Sequence, residues 1–138
     1  MTTPLRWLYG GSNRRHHLRM SFTITIAIAI YGSLYAPPAQ WPYWLAATVA
    51  CIGQEWWATA DRDVEPSRKP ANPYWLPYGC VVKHRGWASH GFIVGTVIRL
   101  AYGWWPVLWF LWDSYPPLAA AWCFGALAND LGHLALDL

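Results

Sequence analysis

Charge is what this chain lacks most. Of its 138 residues only 12% are Asp, Glu, Lys or Arg, about half the share found in ordinary soluble domains. With so few charges and 55% hydrophobic residues, the chain is neither disordered nor a coiled coil, and it is no basic tail for nucleic acid. A net charge of +3 is too small to argue for an anionic polymer as partner. Cysteine is scarce and unpatterned. Cys51, Cys80 and Cys123 are odd in number and show no C-x-x-C spacing, and Cys51 and Cys123 fall within apolar stretches, which speaks for buried small hydrophobes over disulfides or a zinc knuckle. There is no internal repeat and no low-complexity tract. Aromatics, by contrast, are abundant, with 12 Trp.

The mean hydropathy of +0.13 is low for a membrane protein because the polar residues are gathered into two segments, residues 1–20 and 61–90. Between and after them lie four mostly apolar stretches at residues 21–36, 41–60, 91–112 and 118–138. At about 1.5 Å per residue each spans or nearly spans a hydrocarbon core of about 30 Å. The expected fold is therefore all-α, a single domain over residues 1–138. It is an integral membrane bundle of about four transmembrane helices with a polar loop at 61–90, made Pro-rich by Pro66, Pro70, Pro73 and Pro77. In the first stretch, TITIAIAI alternates with the period of a strand. A helix is favoured because no turn and partner strand follow. A cleaved signal peptide is disfavoured by Pro37-Pro38 just after the small residues. Trp41, Trp44, Trp104, Trp105, Trp109 and Trp112 fall near the ends of apolar runs, as interfacial belts do. They are read as lipid belt and packing, not as a cofactor box.

Four of the ten basic residues precede the first stretch (Arg6, Arg14, Arg15, Arg19). Five lie between the second and third (Arg62, Arg68, Lys69, Lys83, Arg85), and the other two connections have none. Positive-inside bias then places both termini in the cytoplasm, with the lipid bilayer as the first partner.

That topology carries all five histidines, with Asp61, Asp63 and Asp137, to one face. Imidazole and carboxylate are the ligands of zinc, manganese and iron. His133 and Asp137 are four residues apart and share a helix face with Asn129, while Asp130 is three residues before His133. Asp61-x-Asp63, just past a helix end, is placed to turn two carboxylates inward. Gln54, on the same face as Asp61, would support the ligands from behind. His16 reads as a bystander in the basic flank. Glu55 and Arg99 lie within apolar stretches, where an ionisable group is functional or paired by default, and are expected to pair with each other.

Residues 60–99, ADRDVEPSRKPANPYWLPYGCVVKHRGWASHGFIVGTVIR, resemble a family of metal-binding membrane proteins common in cyanobacteria, related to the YdjM-like membrane-bound metal-dependent hydrolases. The resemblance rests on His17, Asp61-x-Asp63, Trp75-Leu76-Pro77-Tyr78, His84-Arg85, Ser89-His90-Gly91, Gly95-Thr96 with Arg99, and His133 with Asp137. The chain departs from the family pattern at Ala60, where a proline is usual, and at Leu18, where an aspartate is usual. What the resemblance implies is a site for one or two divalent transition-metal ions (zinc, manganese or iron) held by His17, Asp61, Asp63, His84, His90, His133 and Asp137. The relation to the YdjM-like hydrolases further implies a metal-dependent hydrolase, and the expected substrate of such an enzyme here is a phosphoester at the cytoplasmic membrane face. Arg85, or less readily Arg62, would hold the phosphate. The competing expectation is a non-enzymatic accessory subunit of a larger membrane complex, with Trp-rich spans facing other subunits or pigments.

Overall fold

A computed structural model describes residues 14–58, 73–82 and 91–137 of the chain. Among the described residues there are only helices. α1 is Arg14–Tyr35, α2 Trp41–Trp57, α3 Leu76–Val81, α4 Phe92–Gly103, α5 Trp105–Ser114 and α6 Pro116–Asp137. Short 3-10 turns at Pro38–Gln40 and Pro73–Trp75 precede α2 and α3. The strand-like TITIAIAI run lies wholly inside α1. Its inward stripe is His17, Ser21, Thr25, Ile28 and Gly32, which follows helical spacing. Phe22, Ile26 and Ile30 face outward.

The order of contacts fixes the helix directions. Thr25 meets Cys51 and Gly32 meets Trp44, so α1 runs antiparallel to α2. Ala47 meets Gly125 and Gln54 meets Asp130, so α2 and α6 run parallel. Arg99 meets Asp130 and Trp104 meets Trp122, so α4 is antiparallel to α6. The start of α1, the end of α2, the start of α4 and the end of α6 thus share one end of the bundle.

Small residues let the backbones approach. A Cβ at position 125 would stand 2.0 Å from the Ala47 carbonyl oxygen, so α2 and α6 touch main chain to main chain.

The apolar stretch 91–112 is not one helix. α4 and α5 meet at Trp104 with an 85° bend. Pro106 sits in the first turn of α5 and has no N–H to give the carbonyl of Tyr102, four residues back. That carbonyl instead accepts the Tyr74 hydroxyl, the Tyr102 hydroxyl donates to the Tyr74 carbonyl at 2.5 Å, and the Gly103 carbonyl accepts Trp57 Nε1 at 2.7 Å. Side chains from α2 and the turn before α3 thus satisfy groups that the break exposes. Burial, with Tyr102 as neighbour, pushes the Tyr74 phenol above its ordinary range, so it stays a donor. Part of the expected loop is therefore ordered. Trp75 and Tyr78 of the Trp-Leu-Pro-Tyr element are buried with Ala58, against Trp57, Ile98 and Trp104.

Among the described residues one helix is long and apolar enough to cross a membrane, His16–Tyr35, or two if the bent pair is one span, so the expected four spans are not all seen. α2 has 17 residues, and α6, with 22, carries Asn129, Asp130 and His133.

Gly125→Ala is expected to lower stability by about 1–3 kcal/mol, because the backbone atom it meets cannot swing away. Thermal unfolding of the purified variant, compared with Gly53→Ala, where the nearest neighbour is the far end of the Trp104 ring at 3.1 Å, checks this. Position 125 is expected to be the more sensitive.

Candidate metal centre

Polar side chains line the inside of this bundle. At its crowded end, His17 from α1 and His133 from α6 are both 3% exposed, and their rings stack with centroids 3.9 Å apart and planes 25° from parallel. Of the neighbouring pair His16 and His17, the helix turns only His17 inward. Glu55 of α2, also buried, brings Oε2 to 3.8 Å from His133 Nδ1, close enough for attraction to a charged imidazole though too long for a hydrogen bond. Three helices thus contribute two imidazoles and one carboxylate.

Deeper along the bundle, Asn129 donates to the Ser21 hydroxyl, tying α6 to α1. Beside it the Arg99 guanidinium meets Asp130 at 2.7 Å with both side chains fully buried. Gln54 Nε2 also donates to both Asp130 oxygens, at 3.0 and 3.1 Å, and Gln54 Oε1 accepts Trp104 Nε1 at 2.7 Å. Arg99, Asp130, Gln54 and Trp104 form a continuous chain across α4, α6, α2 and the bend. The expected pairing of Glu55 with Arg99 is therefore corrected. Asp130 lies on the stripe of α6 facing both α2 and α4, and it takes the guanidinium, while Glu55 is one position round α2 from Gln54 and turns toward His133.

Of the expected ligands, His17 and His133 are brought together. Asp61, Asp63, His84 and His90, with Arg85 and Arg62, lie outside the described residues. Asp137 closes α6 one turn beyond His133, and its side chain also lies outside them. Glu55 was not among the expected ligands. Its signal was its place one position from Gln54, on the helix that ends just before Asp61. Among the described residues no three His, Cys, Asp or Glu side chains are grouped to hold an ion. The trio of His17, His133 and Glu55 has the donor chemistry of a transition-metal site without its full geometry.

A family model described as an uncharacterized metal-binding protein, DUF2227, matches residues 12–131. The chain belongs to this family. The match takes in His17, Glu55 and the segment holding Asp61, Asp63, His84 and His90, and it ends just short of His133. No curated protein and no solved structure matches the chain. Metal binding is the family's described property, and the description names neither an ion nor a reaction. The donor chemistry at the end of the bundle agrees with it.

Asp130→Ala removes the anion facing a fully buried guanidinium and is expected to destabilise the fold by about 3–5 kcal/mol. Replacing both partners, Arg99→Met with Asp130→Leu, should recover a large part of that loss. Thermal unfolding of the two variants under one set of conditions checks the order.

Proposed function

We propose that this chain is an integral membrane protein that binds a divalent transition metal at the end of its bundle where His17, Glu55 and His133 converge. The observation that carries the metal site is the buried stack of two imidazoles beside a carboxylate, in a chain whose family is described as metal-binding. Membrane embedding is supported by the inverted distribution of polarity. Arg99, Asp130, Gln54 and Asn129 are at most 2% exposed, while Leu34, Leu45, Ile93, Trp109, Phe110 and Trp112 are more than 60% exposed. A water-soluble bundle has the opposite arrangement, and lipid reverses the sign of the hydrophobic term at the surface. On this reading α2 and α6 cross together with α1, and α4 with α5 forms a broken span. The basic residues gathered in segments 1–20 and 61–90 support a cytoplasmic side for the metal-bearing end.

His17 and His133 would hold the ion through ring nitrogens. Glu55 would ligate it or orient His133, and Asp61, Asp63, His84, His90 and Asp137 would complete one or two sites. A bound ion would polarise a phosphoryl oxygen and make a water a better nucleophile at neutral pH. The Arg85 guanidinium would hold the substrate phosphate as a bidentate donor, and the phosphoester would be reached from the membrane surface. A second reading, an accessory subunit that binds metal without turnover in a larger membrane complex, is favoured by the exposed indoles of α5, which suit a protein neighbour.

Elemental analysis of the detergent-purified protein tests the site. One or two equivalents of zinc, manganese or iron are expected in the wild type, with most of it lost in the double variant His17→Ala, His133→Ala. Wild-type content in that variant sinks the assignment. Chelator-sensitive hydrolysis of a phosphoester by the metal-loaded protein, lost in Arg85→Ala, would favour the enzyme. Full metal occupancy without turnover would favour the accessory subunit.

A further inference from the structure

In the crook of the 85° bend lies an open groove of about 440 Å³, lined by Leu100 of α4 and by Trp105, Leu108, Trp109, Trp112 and Asp113 of α5. The three indoles are 54%, 74% and 67% exposed, and among the ring contacts of the described residues none joins one of them to another. Their faces are therefore open to a ligand. The end of the groove is electronegative twice over. Asp113 lies in the last turn of α5, where the helix dipole already places partial negative charge, and that turn has no basic residue to offset it. No Lys or Arg follows Arg99 anywhere in the chain, and Asp113 makes no ion pair among the described residues. Indole faces around a carboxylate, with leucine alongside, complement a cation attached to an apolar chain.

We propose that this groove seats the ammonium headgroup of a membrane lipid, the cation against Asp113 and the Trp rings and the start of the acyl chains along Leu100 and Leu108. The inference rests on the membrane reading above. α5 ends at Ser114, next to the start of α6 at Pro116, so Asp113 stands at the end of α6 away from His133, where on that reading the bilayer surface, its headgroups and interfacial Trp side chains meet.

The test uses the full chain in bilayer nanodiscs, with phosphatidylcholine and phosphatidylglycerol spin-labelled near the end of one acyl chain. Both probes carry the phosphate, and only one carries the ammonium. Electron paramagnetic resonance at high salt, where long-range charge is screened, gives the fraction of each that the protein immobilises. The choline-to-glycerol association ratio is expected to be about two- to fivefold higher in the wild type than in Asp113→Asn or Trp109→Leu, the range of an exposed cation–π contact. Asp113→Asn is nearly isosteric, and circular dichroism checks that both variants keep their helices. A ratio unchanged in both variants overturns the headgroup site alone. Immobilisation of neither lipid overturns it together with the membrane reading.

Discussion

The contact between Arg99 and Asp130 organises the rest of this molecule. A guanidinium and a carboxylate that are both fully buried must be held in good geometry with their remaining hydrogen-bonding capacity used, because desolvation otherwise outweighs their attraction. Asp130 meets that demand by accepting Gln54 as well as Arg99, and Gln54 passes the requirement on by accepting Trp104. One carboxylate thereby sets the relative positions of α2, α4 and α6 and the place where the chain turns. His17 and His133 stand one turn beyond Ser21 and Asn129, and Glu55 is next to Gln54, so the geometry of the cluster is inherited from this pair.

The break at Trp104 is the second place where polar accounting governs shape. A proline in the first turn of α5 leaves the carbonyl of Tyr102 without its usual donor, and the tyrosine and tryptophan side chains that supply donors there come from α2 and the segment before α3. The aromatic cluster around Trp75 is thus a hydrogen-bonding scaffold as well as a core. It explains why a stretch as polar as 61–90 contains the most deeply buried tryptophan among the described residues.

Much of the helical architecture was legible in the sequence, and the mixed signals share one cause. Helices over 21–36 and 118–138 follow from their apolar runs, and the shared end follows from alternating direction. TITIAIAI reads as a helix and is one, and its strand-like alternation arises because the inward stripe of α1 is Ser21 and Thr25 with Ile28, so hydrophobicity does not mark the buried face. The same inversion hid the partner of Arg99. Two ionisable residues inside apolar stretches look like a pair, yet Glu55 and Arg99 are separated by Gln54 and Asp130, and only the packing of α4 on α6 decides which acid the guanidinium meets. The bend had a local signal in Gly103 and Pro106, outweighed by the continuous apolar run around them. Asp61, Asp63, His84 and His90 remain arguments from residue type and spacing.

The close approach of Gly125 to Ala47 has a consequence for chain length. Glu55 lies eight residues beyond Ala47 and His133 eight beyond Gly125. Along two parallel helices both donors therefore stand about 12 Å from a common origin. An insertion or deletion of one residue in either interval would rotate one donor away from the other by about 100°. The two intervals work as matched rulers. Any chain that keeps this pair of donors together while altering one interval must alter the other to match.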